Sequence, residues 1–355
     1  MSKFLSSRLK NLSAYTPGEQ PRDRKYIKLN TNESPYPPSP EVIEAVDCQQ
    51  VGMLNLYPDP TCKILKEKLA ERYGVTPEMI FVSNGSDDIL NFAFMAFCDR
   101  EKGMAYCDIT SGFYDVFAQL HGVPSEIIPL KEDFTVDVDR FAECGTNVVI
   151  ANPNAPTGIA LPLCDIERVA KANRDSVVIV DEAYVDFGAE SAVGLLAENE
   201  NMLIVRTFSK SRSMAGARLG FAIGAPDLIA DLELIKYSTN PYDINRLTQI
   251  AGAAAIDSDS YYFENADRII ETREYTTKRL RALGFEVIDS KANFVFARHP
   301  LFDGEKLYCR LRSEGILVRH FKGERIKQYL RITVGLPAEM EVLCETLEKI
   351  LNERG

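Results

Sequence analysis

Short apolar runs alternate with longer amphipathic segments over the first two thirds of the chain. Four runs rich in β-branched residues predict buried strands at 80–82, 148–151, 177–180 and 203–207. Between them lie helical patterns such as 62–73, where Leu65 and Leu69 share one face. This alternation is typical of an α/β fold in which helices cover both faces of a mainly parallel sheet.

The pattern changes after about residue 240. A longer helical pattern at 261–283 precedes strand-like segments at 285–288, 293–297, 316–318 and 329–334. The first residues of the chain are polar and lead into a proline-rich stretch at 35–38, which indicates an extended arm. We therefore predict an N-terminal arm (1–35), a large α/β domain (36–240) and a small α+β domain (241–355).

Charge and composition disfavour several classes of protein. The chain has 41 basic and 52 acidic residues, a net charge of −11 and no basic block, so neither nucleic acid nor an anionic membrane is expected as a partner. A secretory signal and a membrane-length apolar run are both missing, which predicts a cytoplasmic location. The eight cysteines form no C-x-x-C pair and the three histidines are not spaced as ligands, so no metal site is expected.

The segment 83–88 lies between a predicted strand and an apolar helical pattern at 89–97. Gly85 allows a tight turn, and Ser86 and Asp87 come where a helix leaves its first N–H groups unpaired. Such a helix start suits a phosphate group. Ser and Asp also cap helices without any ligand, so this motif alone leaves both interpretations open.

A second loop, 152–158, follows the apolar run that ends at residue 151. Its sequence, Asn-Pro-Asn-Ala-Pro-Thr-Gly, makes a rigid turn at the carboxyl end of a strand. Open α/β sheets bind ligands at that edge. Rigid turn chemistry alone explains the same composition, so a binding role stays open here too.

The apolar run 177–180 ends in Asp181, with Tyr184 three residues further on. A carboxylate at the end of a strand that is apolar on both faces needs a partner. A protonated pyridine nitrogen would be one such partner, and a metal ion, as in nucleotide hydrolases, would be another. The chain has no Gly-rich phosphate loop with Lys-Ser/Thr upstream, which disfavours the metal ion.

Lys210 follows the predicted strand at 203–207 and lies between Ser209 and Ser211, with Arg218 further along. A lysine activated by cationic neighbours or by burial is a nucleophile toward an aldehyde. Ser209 and Arg218 could add charge-assisted contacts to a phosphate. Because a single lysine is usually a solvated surface charge, only its context supports this hypothesis.

Together and in this order, the four motifs resemble those of fold type I pyridoxal-phosphate-dependent aminotransferases, and within them the histidinol-phosphate aminotransferase branch. The resemblance extends from Tyr-Thr-Pro-Gly at 15–18 and Leu-Asn-Thr-Asn-Glu-Ser-Pro at 29–35 to Leu-Arg-Ile-Thr-Val-Gly at 330–335. It implies a large domain with a mainly parallel seven-stranded sheet, a small α+β domain at the C-terminus, and pyridoxal 5'-phosphate as the cofactor.

The resemblance also implies roles for individual residues. Lys210 would bind the cofactor covalently and carry a proton, Asp181 would pair with the pyridine nitrogen, and Tyr184 would hydrogen-bond the phenolic oxygen of the ring. The residues around the phosphate would be Gly85, Ser86, Asp87, Ser209 and Arg218. Tyr57 resembles a tyrosine that reaches the phosphate of the neighbouring subunit, which implies a homodimer with shared active sites.

On the substrate side, the resemblance implies roles for Tyr15, Asn32, Arg319 and Arg331, with the arginines binding the anionic end of each substrate. The expected reaction, part of histidine biosynthesis, moves an amino group from the small-molecule donor L-histidinol phosphate to the 2-oxo acid 2-oxoglutarate. An aromatic-amino-acid aminotransferase and a threonine-phosphate decarboxylase stay open as alternatives. The motif residues together disfavour an inert regulator, and the missing G-x-G-x-x-G disfavours an NAD-binding protein.

Two departures from the family pattern concern the cofactor, and a third is the Leu-Pro-Ala-Glu-Met sequence after Gly335, where Thr and Asn are frequent in the family. Ser111 stands where an aromatic residue is common, so the ring that would stack on the cofactor is missing unless Phe113 or Tyr114 supplies it. Ala155 stands where an asparagine usually contacts the phenolic oxygen of the cofactor. Asn154 is the candidate substitute.

Overall fold

Two sheets of different size dominate the computed structural model, which describes residues 4–353. The strands are β1 (Ile27–Lys28), β2 (Ile80–Ser83), β3 (Met104–Cys107), β4 (Ser125–Ile128), β5 (Asn147–Ala151), β6 (Val178–Asp181), β7 (Met202–Thr207), β8 (Gly220–Gly224), β9 (Glu286–Ile288), β10 (Phe294–Arg298), β11 (Ile316–Leu317), β12 (Arg319–His320) and β13 (Leu330–Thr333).

The α-helices are α1 (Pro40–Ala45), α2 (Cys48–Gly52), α3 (Lys63–Tyr73), α4 (Ser86–Phe97), α5 (Gly112–His121), α6 (Val138–Glu143), α7 (Leu163–Ala172), α8 (Pro226–Thr239), α9 (Arg246–Asp257), α10 (Asp259–Ala282), α11 (Gly304–Ser313) and α12 (Pro337–Asn352). Short 3-10 helices lie at Ser7–Leu9, Pro77–Met79, Val185–Phe187, Ala192–Leu195 and Ala215–Ala217.

The large sheet has seven strands in the order β2-β8-β7-β6-β5-β3-β4. Only β8 runs antiparallel to its neighbours, and the other pairs are parallel. The mainly parallel seven-stranded sheet predicted from the sequence is therefore confirmed. Ala151 pairs with Asp181 and Asp181 with Val205, so the ends of β5, β6 and β7 meet at one edge.

Both faces of this sheet are buried, which explains why its strands are continuously apolar. Along β5 and β6, Val148 and Val178 face one core while Val149 and Ile179 face the other. The first core is completed by α3, α6, α7 and α9, and the second by α4, α5 and α8. Each fully buried aliphatic side chain stabilises the fold by about 1.5–3 kcal/mol.

The small sheet is antiparallel, in the order β12-β13-β10-β9. Its apolar face packs on α10, α11 and α12, which confirms the predicted second α+β unit. The N-terminal arm joins this unit, because β1 forms a parallel pair with β11 in which Ile27 pairs with Ile316. Leu29 continues the arm into the same core.

The boundary between the two units stays a proposal. Helix α9 lies after the predicted boundary at residue 240, yet it packs on α1 and α3. Its residues Ala251, Ala255 and Ile256 belong to the core of the large sheet. This packing favours a boundary inside α10.

Helix α10 is long enough to cross a bilayer, but charged residues occur along its whole length. Across residues 4–353 no helix combines the length and the apolar character that a membrane span requires.

Candidate active site

A cavity of about 860 Å³ opens at the carboxyl edge of the large sheet, where Ala151, Asp181 and Thr207 end three neighbouring strands. The N-terminal arm and the small sheet complete its walls. The predicted site residues that line it are Tyr15, Ser86, Asp87, Asp181, Tyr184, Ser209, Lys210, Arg218, Arg319 and Arg331. The fold thus gathers side chains from the arm, the large sheet and the small sheet around one space.

One end of the cavity is built to hold an anion. The Arg218 guanidinium lies 2.9 Å from the Asp87 carboxylate and 3.5 Å from the Ser209 hydroxyl, beside the first turn of α4. Two glycines allow this approach: a Cβ at Gly85 would lie 2.7 Å from Arg218 Nη2, and one at Gly220 would lie 2.5 Å from the first backbone nitrogen of α4. Unpaired N–H groups at a helix start, a guanidinium and a hydroxyl together fit a phosphate group.

Asp181 lies on the floor of the cavity and is almost fully buried. Tyr114 Oη donates a hydrogen bond to its Oδ2 (2.7 Å), and the Ala183 amide donates to its Oδ1 (3.2 Å). Burial raises the pKa of this carboxyl group to about 6, although both donors favour the ionised form. A buried carboxylate with capacity for a further donor fits a protonated ring nitrogen.

Lys210 extends toward the arm. Its Nζ donates to the Thr31 carbonyl (3.3 Å) and lies 5.7 Å from the centre of the Tyr184 ring. The Tyr184 hydroxyl in turn accepts a hydrogen bond from Asn32 Nδ2 (3.0 Å), and the hydroxyl of Thr333 donates to Asn32 Oδ1 (3.1 Å). The predicted residues Lys210, Tyr184 and Asn32 are therefore neighbours, held by the arm and by β13.

An ionic network fixes the backbone beside Lys210. Ser211 Oγ donates to the Asp186 carboxylate (2.5 Å), which also pairs with Arg206. Burial disfavours the charged form of Asp186, but the guanidinium of Arg206 and the Ser211 hydroxyl hold its pKa below the usual value. Arg212 extends the network to Asp259 at the start of α10 (2.5 Å). The segment after Lys210 is thus anchored on both sides.

Arg331 forms the other end of the cavity and is half-buried. Its Nη2 donates to the Asn30 carbonyl (3.2 Å), while its buried Nε has no hydrogen-bond partner. The guanidinium lies 5.4 Å from the ring centre of Phe294 and 5.6 Å from that of Phe321. Burial lowers its pKa, and within residues 4–353 no acidic side chain pairs with it. An incoming carboxylate or phosphate would supply the missing acceptor.

The arm covers the mouth of the cavity. Arg319 donates to the carbonyls of Thr16 (3.1 Å) and Pro17 (3.3 Å), which ties the arm to the small sheet. Beside them, Tyr15 stacks on Phe113 of α5, with ring centres 4.2 Å apart. The arm therefore bridges the two units above the cavity.

Comparison with known proteins agrees with this geometry. A family model described as "Aminotransferase class I and II" matches residues 24–347. The chain belongs to the aminotransferase class I and II family. The resemblance inferred from the sequence motifs is thereby confirmed.

Individual members of the aminotransferase family resemble the whole chain. The histidinol-phosphate aminotransferase of Clostridium acetobutylicum is 50% identical over 352 residues, which cover 99% of this chain and 100% of the relative. That of Brachyspira hyodysenteriae is 49% identical with the same coverage. The structure of the Sinorhizobium meliloti histidinol-phosphate aminotransferase in complex with pyridoxal-5'-phosphate covers 100% of both chains with a TM-score of 0.88; at 24% identity this likeness shows the fold.

Three predicted cofactor residues of this aminotransferase do not line the cavity: Gly85, Asn154 and Tyr57. Gly85, just before α4, instead leaves room for Arg218. Asn154 is buried and uses its amide inside the fold: Thr110 Oγ1 donates to it (2.9 Å), and its Nδ2 donates to Ile109 O (3.0 Å). Tyr57 lies elsewhere, 79% exposed and stacked on Tyr242. Their predicted cofactor contacts stay predictions.

The contact between Tyr114 and Asp181 was not predicted from the sequence, where Tyr114 was a candidate only for stacking on the cofactor. Its side chain instead packs in the core between α5 and the large sheet, while Ser111 and Phe113 line the cavity. Helical spacing offered a signal, since Tyr114 shares a buried face with Phe117 and Ala118. A hydroxyl on such a face needs a partner.

Proposed function

We propose that this chain is a pyridoxal-phosphate-dependent aminotransferase that moves an amino group between L-histidinol phosphate and 2-oxoglutarate, as a step of histidine biosynthesis. The observation that carries the proposal is one cavity with an anion cradle at Arg218, the side chain of Lys210 in its lining, and a half-buried guanidinium at Arg331 whose Nε has no partner. Two full-length relatives at 49–50% identity bear the name of this activity.

The cavity fits the cofactor on three counts. Its phosphate would lie between the start of α4, Ser209 and Arg218, groups that two glycines allow to come close together. Its ring nitrogen would face Asp181, whose carboxylate is otherwise costly to bury. Its aldehyde carbon would come within reach of Lys210. When bound, pyridoxal phosphate supplies an electron sink for the substrate carbon.

Side chains of the chain itself would supply the other functions that the reaction requires. Lys210 would hold the cofactor and would move a proton at the substrate α-carbon. Asp181 keeps the ring nitrogen protonated. Tyr184, oriented by Asn32, donates a hydrogen bond to the phenolic oxygen. Tyr15 and Phe113 at the mouth limit the access of water to these groups.

Arg331 and Arg319 would bind the anionic end of each substrate. A planar guanidinium accepts a carboxylate or a phosphate through the same pair of N–H groups. The same anchors therefore suit 2-oxoglutarate in one half-reaction and histidinol phosphate in the other. The unpaired Nε of Arg331 supports this assignment.

The same proposal includes a cytoplasmic homodimer. Tyr57 and Tyr242 stack outside the cavity of their own chain, and Leu54 and Leu56 are more than half exposed nearby in the sequence. An exposed apolar patch of this kind favours a protein interface. Tyr57 would then reach the phosphate site of the partner.

A donor screen tests the proposed activity. Purified protein is assayed with histidinol phosphate, phenylalanine, tyrosine and threonine phosphate, each with 2-oxoglutarate, with Lys210→Ala as the inactive control. We expect the highest kcat/KM for histidinol phosphate. A higher value for an aromatic amino acid, or release of carbon dioxide from threonine phosphate, would replace the proposal by one of those alternatives.

A further inference from the structure

Packing does not explain why the side chain at position 114 carries a hydroxyl group. The ring is 0% exposed and meets Tyr106 edge to face, with ring centres 6.1 Å apart. Phenylalanine would fill the same space. In the described part of the chain, the hydroxyl has one hydrogen-bond partner, Asp181 Oδ2 at 2.7 Å.

This contact restrains the carboxylate of Asp181 through a side chain that does not line the cavity. One oxygen accepts a hydrogen bond from the Tyr114 hydroxyl, and the other accepts one from the Ala183 amide. A carboxylate offers about four acceptor positions, so both oxygens keep capacity for a group in the cavity. These two donors, one on each oxygen, fix the plane of the carboxylate. They thereby fix the directions from which it can accept a further hydrogen bond. Tyr114 itself does not line the cavity and cannot touch a substrate.

We infer that Tyr114 is a positioning residue, whose hydroxyl holds the Asp181 carboxylate oriented and ionised for the protonated ring nitrogen of the cofactor. The inference rests on the proposed function, in which Asp181 is that partner. It assigns to this residue of α5 a role different from the ring stacking that the sequence left open for it.

The charges around the pair support this role. Burial raises the pKa of Asp181, the nearby carboxylate of Asp87 raises it further, and Lys210 lowers it. Tyr114 acts against burial by favouring the ionised form. Its own pKa is well above the usual value, because of burial, the charge of Asp181 and, to a smaller extent, Cys107 and Tyr184, so it stays a donor at every working pH.

The test replaces the hydroxyl alone and measures the affinity for pyridoxal phosphate without substrate. Tyr114→Phe keeps the ring and removes the donor. Tyr106→Phe is a matched control, since it removes a neighbouring buried hydroxyl whose partners are Ser125 (2.9 Å) and Asp115 (3.3 Å). The dissociation constant is measured between about pH 5 and pH 8 for both variants and the wild type.

We expect Tyr114→Phe to bind the cofactor within about 2-fold of the wild type at pH 8 and about 10-fold more weakly below the pKa of Asp181, the usual size for one hydrogen bond to a charged group. Tyr106→Phe should follow the wild type throughout. The acid limb of kcat/KM should move to higher pH in Tyr114→Phe only. Equal affinities at every pH, or the same acid-dependent loss in Tyr106→Phe, would overturn the inference.

A double-mutant cycle separates this inference from the proposed function. In an Asp181→Asn background, Tyr114→Phe should cause no further pH-dependent loss of affinity, because Tyr114 acts through the carboxylate. The same loss in that background would overturn the positioning role. If Asp181→Asn alone leaves affinity and its pH dependence unchanged, the proposed role of Asp181 fails instead.

Discussion

Replacing Asp181 by asparagine should stabilise the cofactor-free protein near neutral pH while it weakens cofactor binding. Burial raises the pKa of this carboxyl group from 3.8 to about 6. The folded state therefore binds the proton more tightly than the unfolded chain. The protonated carboxyl group therefore stabilises the folded protein. This contribution to the free energy of unfolding is fully present below pH 3.8 and is lost as the pH rises through about 6.

The difference between the two pKa values corresponds to about 3 kcal/mol of unfolding free energy at pH 7. Asparagine carries no charge and escapes this penalty. Tyr114 and the Ala183 amide donate to different oxygens of the carboxylate, however, and asparagine keeps only one of them, so one donor loses its acceptor at a cost of about 1 kcal/mol. We expect a net gain of about 2 kcal/mol near pH 7 and none near pH 4.

Denaturant unfolding of the cofactor-free wild type and Asp181→Asn, at several pH values between 4 and 7, measures this gain. Asp133→Asn is a control whose stability should change in the opposite direction. Hydrogen bonds from Thr135 lower the pKa of that exposed carboxylate, so removing its charge should destabilise the protein at neutral pH. The reasoning is wrong if Asp181→Asn is no more stable than the wild type at pH 7. It is also wrong if the gain is the same at pH 4.

Three further predictions concern the proposed site. Borohydride reduction of the loaded protein should label the Lys210 peptide, and Lys210→Ala should lose essentially all transamination while still binding the cofactor reversibly; a label on another lysine contradicts this. Arg331→Lys keeps the charge but loses the planar fork, and should lower kcat/KM about 10- to 100-fold for both glutamate and histidinol phosphate; a loss with one substrate only would mean separate anchors. Mixing inactive Tyr57→Ala with Lys210→Ala should restore part of the activity on subunit exchange, and no recovery despite proven exchange would contradict a shared site.

The strands of the large sheet could be predicted because their signal is local. Residues at 148–151 and 177–180 are apolar at every position, which only a strand buried on both faces requires. Once those strands are parallel neighbours, the residues after them meet at one edge. That geometry brought Asp181 and Lys210 into one cavity as the motifs predicted.

The hydrogen bond between Tyr114 and Asp181 could not be predicted in the same way. From the sequence, Tyr114 is one more apolar position of a helix, and its partner lies 67 residues away at the end of strand β6. Asn154 poses the same difficulty, since its amide pairs with groups of the segment 109–110 and not with the cavity. Such contacts depend on the order of strands, which no local pattern encodes.

The pairing of Ile27 with Ile316 has a consequence for the biogenesis of the protein. These residues are 289 positions apart, and the strand that carries Ile27 has no other strand partner among residues 4–353. During translation every strand of the large sheet is synthesised before β11 leaves the ribosome. The strand pair that holds the arm can form only afterwards. The cavity, which Arg319 and Arg331 also line, is therefore complete only after synthesis has passed residue 331.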